Sequence, residues 1–483
     1  MQWQAILKIL GVLLMMFSTS LLPPLVISLI VGDGGTFSFA VALSITLLTG
    51  LILWGSLKQH RQEPRLRDGF LIVVLFWSVL AGFGTIPFLL MPEPDMSVTE
   101  AFFESMSGLT TTGATVLTGI DDLPPSILYY RQQLQWLGGM GIIVLAVAVM
   151  PMLGIGGMQL YRAEAPGPVK DKKLTPRIKE TAKALWYIYL GLTVACAIAY
   201  WLGGMNLFDA VGHSFSTVAI GGFSTHDQSI GFFNSPAIAA IACLFMLASG
   251  INFALHFTAL RDRSPSLYLK DPEVKAFIAG LVIITAVVLT ILFLYGAYTE
   301  SLETFWHGVF QVVSIATTTG FTTSGFHWWP TFLPILLILM SAIGGCAGST
   351  AGGMKIIRVI LLYKQGRREI NQLIHPNALI PIKLGGRPVP NQVIDAVWGF
   401  FALYILSYVL LSLAMTATGV DLVTAFSAVT ACLNNLGPGL GTVAENYAGI
   451  SIAGKWILAV SMLLGRLEIF TLLVLLTPAF WQA

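Results

Sequence analysis

Four short segments hold residues whose types and spacing suit ion chemistry. They read TEAFFESMSGLTTTGAT over 99–115, FDAVGHSFSTVAIGGFS over 208–224, WHGVFQVVSIATTTGFT over 306–322 and TAFSAVTACLNNLGPG over 424–439. Aligned, they superpose Gly113, Gly222, Gly320 and Gly437, at intervals of 109, 98 and 117 residues. A second marker lies 28 residues further on in each case, at Gly141, Gly250, Gly348 and Gly465, so the chain contains a fourfold repeat. Each segment is about 14 residues of mixed polarity, too short to cross a bilayer and suited to a re-entrant turn. A half-helix that ends near the midplane points its negative dipole end at the axis. The non-helical residues after it must line a wet cavity, because hydrocarbon cannot satisfy their carbonyls. Four such strands converging would offer rings of oxygens able to replace the water shell of a monovalent cation. The carbonyls of Thr111, Thr112, Ile220, Gly221, Thr318, Thr319, Asn435 and Leu436 are the expected ligands. The plain alternative is a set of packing glycines at Ser/Thr-rich helix ends.

The elements that must hold these loops follow from composition. The chain has 483 residues, 55% hydrophobic and only 10% charged, against about 25% charged in a typical soluble chain. A formal net charge of +2 argues against nucleic-acid binding. The four cysteines, Cys196, Cys243, Cys346 and Cys432, lie in apolar stretches without metal-type spacing. Apolar runs long enough to span fall near 9–31, 36–57, 70–91, 128–153, 184–204, 236–260, 276–296, 331–362, 396–418 and 454–478. The first run is too long for a secretory leader and has no small-residue cleavage site, so it reads as a retained helix. Of the 26 basic residues, 20 follow the second, fourth, sixth and eighth runs, which places those loops and both termini in the cytoplasm. The intervening loops are acidic, with Arg131 and Lys455 their only bases. The expected fold is an all-α polytopic membrane protein of about ten spans plus four re-entrant half-helices. Two N-terminal helices (1–68) precede four units of span, pore loop and span, at 69–160, 161–262, 263–370 and 371–483. All four loops open on the same face, which requires parallel rather than inverted repeats.

Two further features suggest control of a pore. Gly344, Gly345, Cys346, Ala347, Gly348, Ser349, Thr350, Ala351, Gly352 and Gly353 interrupt the eighth run without one large side chain. Each glycine costs a helix about 1 kcal/mol relative to alanine, so this stretch is expected to unwind inside protein or beside water. Close helix packing through small residues is the alternative. Arg466 sits within the tenth run beside Gly465, where a charge must face water or a partner. About 6 Å from a passing monovalent cation, at an effective dielectric near 20, it would oppose passage by about 2.8 kcal/mol. A structural ion pair is the other reading. Glu468 is on nearly the opposite helix face from Arg466, and Lys355 or Arg358 is its candidate partner.

These residues carry a resemblance. FFESMSGLTTTGAT, GGMGIIVLAVAVMP, YRAEAPGPVKDK, GHSFSTVAIGGFSTHD, GGCAGSTAGGMK, NNLGPGLG and GRLEIFTLLVLLTP resemble the Trk-type bacterial potassium-uptake membrane subunits of the Trk/Ktr/HKT superfamily, nearly end to end. The two extra N-terminal spans favour the TrkH/TrkG branch over the shorter Ktr subunits. The resemblance implies a homodimer in the bacterial inner membrane, each protomer with its own pore, docked on a cytoplasmic nucleotide-binding ring of TrkA type. It implies K+ as the transported ion, surrounding lipid, and no cofactor bound by this chain. It makes Gly113, Gly222, Gly320 and Gly437 filter glycines, and Gly344, Gly345, Gly348, Ser349, Thr350, Gly352 and Gly353 a mobile gating loop; Arg466, read from its charge, joins that gate.

Enzyme readings fail on their own terms. GISIAGKW over 449–456 imitates a phosphate-binding loop, but Trp456 stands where Ser or Thr is required. GHSFS over 212–216 lacks the final glycine of a nucleophile elbow. Uptake needs no engine in the chain, since a potential of about 150 mV supplies about 3.5 kcal/mol per monovalent cation. The basic loops 161–183 and 363–394 are the candidate docking surfaces for a regulator, with topology signalling as the alternative. A proton- or sodium-coupled symporter remains the rival function; Glu468 and Glu104 are its only candidate intramembrane carboxylates. A non-transporting membrane receptor or scaffold is a second rival, but it would not need four such loops.

Overall fold

Long apolar runs in this chain fold as helices because only helices satisfy every backbone group within one segment. A computed structural model describes residues 1–59, 65–148 and 178–482. Six of its helices are long and apolar enough to cross a membrane: Trp3–Val31, Thr36–Ser56, Arg67–Leu90, Ala182–Leu202, Pro272–Tyr295 and Asn391–Thr416. They are the two N-terminal helices and the first span of each repeat. The N-terminal pair cross closely at two glycines, where a Cβ on Gly11 would sit 2.9 Å from the Gly50 carbonyl oxygen. Trp3 stacks on Trp481 with ring centroids 6.4 Å apart, so both ends of the chain lie together.

The other four expected spans, the second of each repeat, depart from simple rods in different ways. Pro125–Ala148 is one continuous helix; the remainder of the run near 128–153 lies outside the described residues. The run expected over 236–260 is two helices, Pro236–Ser249 and Phe253–Arg261, bent by 91°. Asn252 accepts the Ala254 N–H at 2.8 Å and starts the new helix, a capping device that hydropathy does not register. The third splits into Leu333–Ser341 and Ile356–Ile374, with residues 342–355 non-helical, as the run of small residues leads one to expect. The fourth, expected to run unbroken over 454–478, stops at Arg466 and resumes at Phe470, with Glu468 and Ile469 at φ 52° and 57°.

Between first and second spans lie the half-helices Val98–Leu109, Leu207–Ala219, Ser301–Ala316 and Leu422–Leu433. Three start on side-chain caps. Ser97 and Glu100 form a capping box, Asn206 accepts the Asp209 N–H at 2.8 Å, and Asp421 accepts the Thr424 N–H at 2.9 Å. The basic 363–394 connection is structured: its helix runs to Ile374, and a short antiparallel hairpin pairs Lys383–Leu384 with Arg387–Pro388. The all-helical expectation omits that hairpin. Most of the 161–183 connection lies outside the described residues.

Candidate functional site

Each half-helix ends in the same way. Thr111, Ile220, Thr318 and Asn435, two residues before the aligned glycines, have φ of 52°, 55°, 66° and 53°. The next residue's N–H reaches back five residues in every repeat: Thr112 to Ser107 at 2.9 Å, and Gly221 to Ser216, Thr319 to Ser314 and Leu436 to Ala431 at 2.8 Å. This is a Schellman termination repeated four times, and it turns each strand at one depth. A left-handed conformation at a non-glycine residue costs roughly 1–2 kcal/mol, so its recurrence with three different side chains shows that the surroundings impose it.

The four aligned glycines then close a ring. A Cβ on Gly113 would fall closer than 3.0 Å to the Gly221 carbonyl oxygen. The same holds for Gly222 against Thr319, Gly320 against Leu436 and Gly437 against Thr112. The order is repeat one to two, two to three, three to four and four back to one. All four glycines also lie at φ between 79° and 98°, so both space and backbone conformation exclude a side chain there. The 28-residue marker fares less uniformly. Gly465 presses on the Leu433 carbonyl, but the glycine in the same relation to Leu109 is Gly138, not Gly141. The loop after the filter segment is shorter in the first repeat, which shifts the helix register by three residues.

Of the eight predicted ligand carbonyls, those of Thr111, Thr112, Ile220, Thr318, Thr319, Asn435 and Leu436 accept no hydrogen bond among the described residues. All seven residues are buried. Buried carbonyls without donors are rare and require a partner; a partly dehydrated cation is one that a ring of oxygens can hold. The eighth, Gly221, accepts the Gln135 amide at 2.6 Å.

Beneath the ring, the unwound segment of the third repeat makes direct contact with it. The Gly352 N–H donates to Thr318 Oγ1 at 2.7 Å, and a Cβ on Gly352 would collide with the Asn434 carbonyl. Thr350 Oγ1 donates to Val218 O at 3.0 Å. The segment is moored to the bend of the second repeat, with Cys346 N–H on Gly250 O at 2.9 Å and Phe253 N–H on Gly348 O at 3.0 Å. Lys355, its last residue, bonds the Ala351 carbonyl. Gly344, Gly345, Gly348, Ser349, Thr350, Gly352 and Gly353 therefore lie in one segment that touches the loops of the second, third and fourth repeats. Arg466 reaches the same place: its guanidinium donates to Thr350 O at 3.4 Å and Gly138 O at 3.0 Å. Among the described residues no carboxylate pairs with it. Glu468 instead bonds Arg358 at 2.5 Å, one of its two expected partners.

The remaining carboxylates near the pore are committed to structure. Glu104, fully buried, pairs with Arg131 at 2.8 Å and accepts the Val116 N–H at 3.1 Å. Lys455 bonds Glu100 at 2.8 Å. Both bases of the outer loops thus answer acids on the first half-helix. Sequence reasoning missed Glu273, a buried carboxylate that accepts N–H groups of Ala347 at 2.7 Å and Ile357 at 3.2 Å and so ties the middle of the unwound segment to the start of the helix that follows it. It also missed Gln132 and Gln135, although the polar run Arg131-Gln132-Gln133 followed by Gln135 in an apolar helix was a readable signal.

The arrangement matches known proteins along its whole length. Residues 35–482 match the family described as TrkH, cation transport protein. The chain is 57% identical to the Trk system potassium uptake protein TrkH of Vibrio parahaemolyticus, with 100% of both chains covered. It is 40% identical to the Trk system potassium uptake protein TrkG of Escherichia coli, over 98% of this chain and 97% of that protein. The crystal structure of the potassium transporter TrkH from Vibrio parahaemolyticus superposes with a TM-score of 0.93 at 54% identity, covering 100% of both chains. These are transport proteins and not enzymes, and this chain belongs to the TrkH family of cation transport proteins.

Proposed function

We propose that this chain is the membrane subunit of a Trk-type potassium uptake system, conducting K+ inward through the ring of four loops. The observation that carries the reading is the closed ring itself, with its glycines interlocked in repeat order and seven buried carbonyls that lack a donor among the described residues. Gly113, Gly222, Gly320 and Gly437 set the aperture, and the carbonyls of Thr111, Thr112, Ile220, Thr318, Thr319, Asn435 and Leu436 take the place of the ion's water. Gly221 belongs to the same set, with one lone pair already engaged by Gln135. Residues 344–353 are the gate, because they sit against Thr318 and Asn434 under the ring. Arg466 restrains that gate through Thr350 as well as opposing cations by its charge.

The protein works in the bacterial inner membrane as a homodimer with lipid around it. Both termini are cytoplasmic, in keeping with the Trp3–Trp481 stack. A cytoplasmic nucleotide-binding subunit of TrkA type acts on the gate, and K+ is cargo. Flux of K+ through purified protein in liposomes tests the reading, with and without Na+ or a pH gradient. Downhill K+ flux without a co-ion is expected. Strict dependence on Na+ or protons would overturn it in favour of symport.

A further inference from the structure

Three of the four ring strands carry polar side chains of their own that brace them. Thr110 and Thr112 bond through their hydroxyls at 2.7 Å, and Thr317 and Thr319 do the same at 2.8 Å. In the fourth repeat Asn434 accepts the Tyr404 hydroxyl at 2.6 Å and donates to Ser341 at 3.0 Å, and Asn435 donates to Thr112 Oγ1 at 2.9 Å. The second repeat has Ala219 where the others have Thr110, Thr317 and Asn434, Ile220 where the fourth has Asn435, and Gly221 where the first and third have Thr112 and Thr319. Its strand has no side chain with which to brace itself.

The bracing comes from the neighbouring repeat. Gln135, fully buried on the Pro125–Ala148 helix, donates through Nε2 to Gly221 O at 2.6 Å and accepts the Phe223 N–H on Oε1 at 3.0 Å. The Phe223 N–H must donate and the Gly221 carbonyl must accept, so only one amide orientation satisfies both. Gln132 and Arg131, on the same helix, extend the line to Phe223 O at 3.4 Å and Ser224 O at 3.2 Å. The shapes are complementary: a Cβ on Gly221 would meet three Gln135 atoms inside 3.0 Å. Equally far into their own helices, the second and fourth repeats have Met246 and Met462, which cannot bond in this way.

We propose that Gln135 is a positioning and selectivity-determining residue, which orients the Gly221 carbonyl and supplies the second repeat with the polar backing that threonine pairs provide elsewhere. A carbonyl has two lone pairs; Gln135 occupies one and thereby fixes the direction of the other. The inference rests on the filter reading above, and the test separates the two. The full-length protein is reconstituted in liposomes, and K+ over Na+ permeability is measured under bi-ionic conditions. Gln135→Leu keeps the bulk and removes both bonds; it is expected to lower the ratio about tenfold while leaving K+ influx within about threefold. Gln135→Glu keeps the acceptor for Phe223 but turns an oxygen on the Gly221 carbonyl, and is expected to lower the ratio at least as far. Ala219→Thr and Gly221→Thr combined with Gln135→Ala rebuild the threonine pair and are expected to restore most of it.

An unchanged ratio in Gln135→Leu beside a lowered ratio in Gly222→Ser would overturn the role of Gln135 and leave the filter standing. Unchanged ratios in both would remove the filter reading itself. If Gln135→Leu and the rebuilt triple variant both lose K+ flux together with thermal stability, Gln135 is a packing residue and the proposal fails.

Discussion

The ring and the layer directly beneath it obey opposite rules. In the ring, four segments of differing sequence adopt one backbone path, with left-handed residues at matching positions and the same five-residue back-bond. Beneath the ring the four second spans diverge: one is continuous as far as Ala148, the last described residue there, one bends by 91°, one unwinds over 342–355 and one breaks at 467–469. A surface that holds a spherical ion gains from four equivalent walls. A device that moves needs one wall free to differ from the others. In the proposed function the third repeat takes that part; its unwound segment is held by the second and fourth, since Gly250 accepts a bond from it and Arg466 donates one to it.

Substitutions can break this contrast at either level. The largest effect is expected at Glu104. Glu104→Ala leaves Arg131 buried without its carboxylate, and losing one partner of such a pair costs about 3–5 kcal/mol; thermal unfolding of detergent-solubilised protein reads it. A loss below about 1 kcal/mol would mean that Glu104 does not hold Arg131 in place between its own half-helix and Ser224 of the second repeat. Next comes the ring. Gly113→Ser meets both a clash and a positive φ, and is expected to cut K+ over Na+ discrimination about a hundredfold. Gly437→Ser is expected to do less, because its Cβ would stand 2.7 Å from the Thr112 oxygen, the loosest of the four approaches. Equal effects at the two sites would argue that φ, rather than space, governs the aperture.

The layer beneath should respond in a different quantity. Arg466→Ala releases Thr350 and removes a charge from the path, so flux is expected to rise about tenfold with the K+ over Na+ ratio unchanged. Lower flux in a folded variant would count against both the tether and the brake. Alanine at Gly348, Gly352 and Gly353 together should alter open probability and spare selectivity. A selectivity change without a gating change would move that segment into the filter and erase the distinction between the two layers.

Most of the ring was legible in the sequence because its causes are local. A half-helix, a chain reversal and a glycine at positive φ are written within about 17 consecutive residues, and repetition made them visible. The unwound stretch at 344–353 was legible for a similar reason, since ten small residues cannot pack as a helix. What escaped notice depends on partners far along the chain. Gln135 meets Gly221 across 86 residues and Glu273 meets Ala347 across 74; the polar run around Gln135 marks the helix as unusual, but nothing local names the partner of either residue. The bend at residues 250–252 escaped because hydropathy continues across it unchanged. The shared offset of 28 misled in the first repeat because loop length, which is under no geometric constraint at the surface, differs there.

The smallest expected effect lies at the outer rim, where the first two repeats meet once more. His226 bonds Asp121 of the first repeat at 2.5 Å and Asp209 of the second at 3.2 Å, with Phe232 stacked on its ring at 3.5 Å. The Asp227 N–H also donates to Asp121, at 3.1 Å. Burial alone would lower the His226 pKa, but the two carboxylates outweigh it and hold the imidazolium above its ordinary value of 6.5. Folding therefore favours the protonated ring. The stabilisation is complete below pH 6.5 and fades as pH rises through the elevated native pKa. Asp121 sets the other edge: burial would raise its pKa, but His226 and the Asp227 N–H bring it below 3.8, so its share is lost only in strong acid. Because Asp121 is 41% exposed, the whole link is screened, and His226→Gln is expected to flatten the pH 6–9 trend in melting temperature by only about 1–2 °C. A wild-type protein that melts higher at pH 9 than at pH 6 by a margin absent from His226→Gln would reverse the sign and refute the bridge.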